Sequence, residues 1–299
     1  MRIRRMMGAA AGLAVAALAL TACNSGTPGA SGSADASAAP LFEVASNVEI
    51  AGSPTFEKIK AAGVVKIGVK EDQPGLGYLD PTTGERSGFD IDIARWIAAS
   101  LGYDESKIEY TAIASANREQ AIENGQIDYY VGTYSITDRR KEQIDFAGPY
   151  FVTGQGLLVR KSDDSITGVD ALAGKTVCSA TGSTSIQRIK DEHPDAKTVE
   201  FSGYSECVQN LISGQADAVT TDEAILIGYA AADPDNLKVV GEPFSTERYG
   251  VGLAKDDTAF AAFINTMFTD GGSTWTAIFE KNLGASGVQA TQPAVDPVS

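Results

Sequence analysis

Histidine is almost missing from this chain of 299 residues: His193, in the polar run DEHPDA, is the one imidazole. A Ser-His-Asp or Cys-His centre therefore lacks an obvious base, and a histidine-rich zinc site is excluded. Basic residues are also short, 24 Lys and Arg against 39 Asp and Glu, for a formal net charge of -15. Such a surface argues against nucleic acid and against an anionic membrane face as partners. It says less about small ligands, because exposed charges are screened over roughly 8 Å at physiological salt and a local basic cluster in a cleft can still hold an anion. No stretch has the roughly 20 apolar residues that a bilayer-spanning helix needs.

What is present begins at the N-terminus. Arg2, Arg4 and Arg5 precede an apolar stretch over 8–20 that stops at LTAC, so residues 1–22 read as a secretion signal. Small residues before Cys23 resemble the bacterial lipobox, which implies cleavage there and a diacylated Cys23 holding the protein to the outer face of the cell membrane; an ordinary signal with Cys23 merely near the cut is the alternative. Losing residues 1–22 removes three arginines and no acid, taking the charge from -15 to -18. Residues 24–40, NSGTPGASGSADASAAP, have almost no apolar bulk, and a flexible tether is expected over 23–50. With Cys23 lipidated, Cys178 and Cys207 are left as an even pair in an oxidising compartment, which favours a disulfide over two buried thiols. Closing a loop of about 30 residues would contribute roughly 3 to 4 kcal/mol in the chain-entropy account.

About 240 residues of folded material exceed one small core and suit two lobes. VVKIGV (64–69) reads as a buried strand and FDIDIARWIAASLG (89–102) as a helix, with Ile93, Ile97 and Leu101 recurring at i+4 and Gly102 as a stop. IEYTA, IDYYVGT, GLLV, KTVCS, ADAVTT and YGVGLA are further strand candidates separated by helical patterns, which implies α/β lobes with largely parallel sheets. An internal echo links 122–128, IENGQID, with 211–217, LISGQAD: a helix end, a Gly-Gln turn, then Asp opening a strand. Chance likeness of two helix-to-strand turns is the bland explanation. Asp90 and Asp92 in GFDIDIA invite a D-x-D metal reading, but i and i+2 point to different faces of a helix, so Asp90 is read as compensating the helix dipole. No metal or cofactor is expected.

The run TYSITDRR (133–140) carries the chemistry. Thr137 is a good N-cap for a short helix DRRKEQI, whose free N–H groups favour an anion, and Arg140 can swing back over that end to form paired hydrogen bonds with a carboxylate. On charge patterning alone both arginines equally fit a solvated face.

VGTYSITDRRKEQIDFAGPY resembles the signature of the amino-acid-binding family of ABC-transporter solute-binding proteins, with its hydroxyl-rich strand end, T-x-x-R and D-F-x-x-P-Y. GFDIDIA, LAGKTVCSATGSTS (172–185) and GQADAVTTDEA (214–224) fit the same family in order, over about residues 56–284. The resemblance implies an α/β, type II periplasmic-binding-protein fold. Its two α/β lobes are joined by a two-strand hinge near 150–155 and 245–250, with the ligand cleft between them. Lobe 1 is discontinuous (51–150 plus 250–285), lobe 2 spans 155–245, and 286–299 form a C-terminal tail. It further implies that Arg140 clamps a ligand α-carboxylate beside the Ser135 N–H, that Thr133 offers an oxygen to the α-ammonium, that Thr184 donates its N–H to the carboxylate, and that Asp222 pairs with the ammonium. An N-cap role for Asp222 is the plain alternative. Lys70 and Arg118 are the cations for a ligand side chain, with Ser115 and Thr221 as secondary polar contacts; Arg139 matches no ligand position. IGVKEDQPGLG, VCSATGSTS, YSECV and DAVTTDEAIL are similar to glutamate-binding lipoproteins, so glutamate is favoured over aspartate, glutamine or asparagine. The implied protein is a monomer that closes on an amino acid and delivers it to an ABC permease, performing no chemistry. A cyclohexadienyl-type dehydratase on the same fold, with Glu71 or Asp72 as acid or base, and a ligand-loaded sensor are the competing functions.

Overall fold

The computed structural model describes residues 40–298. The expected signal segment, the lipidation site Cys23 and the tether up to residue 39 lie outside the described residues.

The chain opens with α1 (Pro54–Ala62), started by the Ser53 hydroxyl accepting from Phe56 N, with proline in the first turn, and ended by left-handed Gly63. Strand β1 (Val65–Val69) follows, then a small antiparallel sheet of β2 (Asp72–Gln73), β3 (Gly77–Leu79) and β4 (Arg86–Ser87). Helix α2 (Phe89–Ser100) leads to β5 (Ile108–Ala112), α3 (Arg118–Glu123), β6 (Tyr129–Tyr130), α4 (Asp138–Lys141) and β7 (Asp145–Thr153). After one residue, Gly154, the chain enters the second lobe: β8 (Gln155–Arg160), β9 (Thr176–Ala180), α5 (Thr184–Glu192), β10 (Lys197–Phe201), α6 (Tyr204–Ile212), β11 (Ala218–Asp222), α7 (Glu223–Ala232) and β12 (Leu237–Val240). It returns through β13 (Glu247–Leu253) and finishes the first lobe with α8 (Thr258–Asp270) and α9 (Gly272–Asn282).

The sheets have the orders β5-β1-β6-β13-β7 and β10-β9-β11-β8-β12. In each, three strands run parallel and are joined by an antiparallel strand that belongs to a crossing, β13 in lobe 1 and β8 in lobe 2. The two crossings lie against each other: Glu247 pairs with Thr153, and a Cβ on Gly154 would fall 2.5 Å from the Ser245 carbonyl oxygen, so only glycine fits where the strands pass. Ile93 and Ile97 are fully buried and Leu101 nearly so, as their spacing predicts.

The internal echo is a shared structural device. Gly125 and Gly214 both take left-handed backbones (φ 63 and 78) after a helix end. Asp128 exchanges with Lys66, donating its N–H to that carbonyl and accepting the Lys66 N–H on its carboxylate, both at 2.7 Å. Asp217 does the same with Thr176, at 2.8 and 2.7 Å. Each aspartate thereby sets the register of one parallel strand on another, β6 on β1 and β11 on β9. Cys178 of β9 and Cys207 of α6 form a disulfide within lobe 2.

One expectation is corrected. The tether does not extend to residue 50: Leu41, Phe42 and Val48 pack on the lobe 1 core, Ile50 is buried, and Ala45 N–H donates to the Ala99 carbonyl. The C-terminal tail packs on lobe 1 over residues 286–298, where Val288 is buried, Asp296 N–H donates to Gly148 O, and Asn265 and Arg248 hold Asp296. Asp90 lies in the first turn of α2 as expected, and there it is wholly buried and also holds Thr133 N–H and the Tyr150 hydroxyl. Asp92 faces elsewhere, to Arg95, Lys281 and Asn282. Among the described residues no helix is long and apolar enough to cross a membrane.

Candidate functional site

Strand ends from both lobes converge where the sheets face each other. On the lobe 1 side, Thr137 caps α4 by accepting from Arg140 N–H (3.3 Å), and the short helix turns Arg139 to solvent and Arg140 inward. The Arg140 guanidinium is pinned on every edge. Nη1 donates to Ser135 O at 2.6 Å, Nη2 to Gly182 O of lobe 2 at 3.1 Å, and Nε lies 3.3 Å from Glu119 Oε1. Its face lies 4.8 Å from the Tyr134 ring centre, and Arg118 approaches the same ring at 4.1 Å. Arg118 also donates from Nε to Ser115 O (3.0 Å) and from Nη2 towards Gly182 O (3.4 Å). Lys70, buried after β1, donates to Ser115 Oγ at 2.8 Å.

Three cations thus share one small buried region. Burial first, and then the Arg118 charge, lowers Lys70 to about 7 and Arg140 to about 10.

From lobe 2, Asp222 ends β11 and precedes α7, yet its side chain makes no capping hydrogen bond. Oδ2 accepts from the Tyr249 hydroxyl at 2.6 Å, and Oδ1 has no partner among the described residues. Burial raises this carboxyl to about 7, helped by the negative charge of Glu247; the Tyr249 bond and the charges of Arg140 and Arg118 pull the other way. Thr221, beside it, is fully buried with an unpartnered hydroxyl among the described residues. Thr184, first residue of α5, spends its hydroxyl on Glu247 Oε2 (3.0 Å).

Thr133 takes a left-handed backbone, φ 47, which a β-branched residue adopts at a cost of about 1 to 3 kcal/mol. Asp90 accepts its N–H at 2.8 Å and Gln73 Oε1 accepts its hydroxyl at 3.2 Å. Burial pushes Asp90 up to about 6, against the two hydrogen bonds it accepts.

The lobes meet across this region. Asp72 Oδ2 accepts from Ser205 N at the start of α6 (3.1 Å), the Tyr229 hydroxyl donates to Asp72 O, and a Cβ on Gly228 would fall 2.2 Å from Pro74 O. A cavity of about 310 Å³ lined by Lys70, Asp72, Ile113, Gly203 and Glu206 adjoins that contact. Among the described residues no cluster of His, Cys, Asp or Glu is arranged to hold a metal.

All nine ligand candidates, Lys70, Ser115, Arg118, Thr133, Ser135, Arg140, Thr184, Thr221 and Asp222, lie at these facing strand and helix ends. Sequence reasoning missed Gln73, Glu119, Gln155, Glu247 and Tyr249. Gln73 was the findable one: it follows Lys70 in KEDQ, is fully buried, and keeps Nε2 without a partner among the described residues.

Residues 65–285 match the profile of a family described as bacterial extracellular solute-binding proteins, family 3. The chain belongs to that family. It is 42% identical over 236 residues to the glutamate-binding protein GluB of Corynebacterium efficiens, covering 74% of this chain and 79% of that one. It is 46% identical over 207 residues to the glutamine-binding protein of Geobacillus stearothermophilus, covering 69% and 78%. An ancestral arginine-binding protein bound to glutamine matches with a TM-score of 0.68 at 36% identity, covering 74% of this chain and 98% of that one. The two-lobed fold is the type II periplasmic-binding-protein fold. These relatives are named as binding proteins, and this family 3 member is a solute-binding protein, not an enzyme.

Proposed function

We infer that the cleft binds a free α-amino acid, glutamate before aspartate, glutamine or asparagine, and that the protein carries it to the permease of an ABC importer. The observation that carries this reading is the opposition of charge across the lobes: Arg140 and Arg118, with Lys70 beside them, act on Asp222 and its unpartnered oxygen. A zwitterion's ammonium supplies the partner that Asp222 Oδ1 lacks, beside a Thr133 oxygen, and its carboxylate takes over Arg140 donors now bonded to the Ser135 and Gly182 carbonyls, together with the Thr184 and Ser135 N–H groups. A side-chain carboxylate then suits Lys70 and Arg118, with Ser115 and Thr221 completing the polar shell. The names of the glutamate- and glutamine-binding relatives support the same ligand class.

Ligand contacts made only when the lobes meet favour closure, and the permease reads the closed form. Micromolar affinity requires about -8 kcal/mol, within reach of a few charge-assisted bonds in a dry cleft. The chain is a monomer, tethered by lipidated Cys23 outside the cytoplasm. Neither Glu71, paired with Arg86, nor Asp72, held by Ser205 N–H, is placed as a free acid or base, which weighs against the dehydratase alternative.

Calorimetry with the twenty amino acids, followed by recovery of the ligand, tests the reading. Glutamate binds at one site and returns unchanged, and Arg140→Ala abolishes binding. Tight binding of a sugar with no amino acid bound, or full affinity in the Arg140 variant, overturns it.

A further inference from the structure

The two crossings between the lobes carry buried polar side chains that reach the same helix. Gln155, the first residue after one crossing, and Glu247, the first after the other, are 0% and 3% exposed. Gln155 Nε2 donates to Ser185 O at 3.1 Å and to Thr220 Oγ1 at 2.9 Å. Glu247 accepts from Ser245 Oγ on one oxygen (2.8 Å) and from Thr184 Oγ1 on the other (3.0 Å). Thr184 and Ser185 open α5, and Arg188 stands one turn later on the same side.

Arg188 joins the two. Its Nε donates to Gln155 Oε1 at 3.1 Å, and its Nη2 lies 3.6 Å from Glu247 Oε1. One guanidinium therefore spans both crossings, and its remaining nitrogen, Nη1, pairs with Glu192 at the surface (2.9 Å). Gln155 belongs to the lobe 2 sheet and Glu247 to a strand of the lobe 1 sheet. The planar fork can hold both acceptors only over a narrow range of separations, so a change in lobe angle that moves one crossing against the other breaks one of the contacts. Losing either would leave a buried acceptor, one of them a carboxylate, without its cation.

We propose that Arg188 is a positioning residue for closure: without touching the ligand, it locks the ligand-facing first turn of α5 to both crossings and so sets the lobe angle. This rests on the amino-acid-binding reading only where affinity is the readout.

The test uses the mature protein with Arg188→Met, Arg188→Lys and, as a control, Glu192→Gln, which removes only the surface pair. Lobe separation is measured in the free proteins by paired spin labels, one on each lobe, and glutamate affinity and dissociation rate by calorimetry and stopped flow. Arg188→Met is expected to broaden the separation, raise Kd by about 5- to 20-fold through faster dissociation, and lower Tm by several degrees, because the buried Glu247 carboxylate loses its cation. Arg188→Lys recovers part of the loss, and Glu192→Gln behaves as the unmodified protein. A lobe separation in Arg188→Met indistinguishable from the unmodified protein overturns the proposal, whatever its affinity. If the unmodified protein binds no amino acid, the ligand reading fails while the separation measurement still decides the role of Arg188.

Discussion

The Tyr249 hydroxyl, on the strand that returns to lobe 1, donates to Asp222 Oδ2 at the end of a lobe 2 strand, 2.6 Å away. This is a polar link across the hinge, and it favours the charged form of a carboxyl that burial nonetheless raises to about 7. Below pH 7 the free cleft keeps a proton on Asp222, which an arriving ammonium must displace, so affinity falls as pH falls. Above pH 7 Lys70, lowered to about 7, loses its proton, and a ligand side-chain carboxylate requires its return, so affinity falls as pH rises. Glutamate affinity is therefore expected to peak near pH 7. Calorimetry in buffers of different ionisation enthalpy should show proton release on binding at pH 6 and uptake at pH 8. Proton exchange of the same sign at both would contradict these assignments.

Removing the Tyr249 hydroxyl isolates one limb of that profile. Tyr249→Phe takes away a bond that favours ionised Asp222, so the acid limb shifts to higher pH while the alkaline limb, set by Lys70, stays. At pH 7 the expected loss is on the order of tenfold in Kd, the scale of one hydrogen bond to a charged group. An unchanged acid limb would mean that Asp222 does not meet the ammonium.

Asp222 also destabilises the protein that uses it. Its folded pKa lies above the ordinary 3.8, so the folded state holds this proton more tightly; the favourable contribution is complete below about 4 and is lost as pH rises through 7. Asp222→Asn keeps an acceptor for Tyr249 without the buried charge. At pH 8 the free variant should melt a few degrees higher than the unmodified protein, with glutamate binding lost by about 100-fold or more. The gain should vanish near pH 4. A variant less stable at pH 8 would show that the charge is already compensated.

The elements legible in the sequence are those whose signals are local. The i+4 spacing of Ile93, Ile97 and Leu101, the Thr137 cap that turns Arg140 inward, and the Gly-Gln-x-Asp turns depend on residues a few positions apart. The unread features join distant segments. Asp72 meets Ser205 across 133 positions, and Arg188 meets Glu247 across the hinge; nothing in KEDQ or RIKDE announces either. The partners of Asp90 went unread because an acid in a first helical turn looks the same whether it faces water or Tyr150. Residues 41–50 lost their apolar signal, LFEVASNVEI, to the small-residue run before them.

The disulfide offers a test of stability separable from binding. It ties β9, which leads into the turn bearing Gly182 and Thr184, to α6, whose first turn meets Asp72. Cys178→Ala with Cys207→Ala should lose roughly 3 kcal/mol, about 6 to 12 °C in Tm for a domain of this size. Well below that melting point glutamate affinity should change only a few-fold, because the β9–β11 pairing remains. Loss of binding in a still-folded variant would give the bridge a direct part in shaping the cleft.

The corrected N-terminal boundary carries the last prediction. Leu41, Phe42, Val48 and Ile50 lie against the lobe 1 core, and Ala45 N–H is bonded to Ala99 O at the end of α2. If 41–50 were tether, a protein beginning at residue 51 would melt like one beginning at 40. Docked as they are, buried Ile50 and the partly buried Leu41, Phe42 and Val48 together contribute on the order of a few kcal/mol, against the entropy of ordering the segment. The shorter protein should therefore melt several degrees lower and expose apolar surface to a hydrophobic dye. The cleft lies at the facing ends of the two sheets, away from α2 residue Ala99, so glutamate affinity measured well below the lower Tm should be retained. Equal melting temperatures would return these ten residues to the tether.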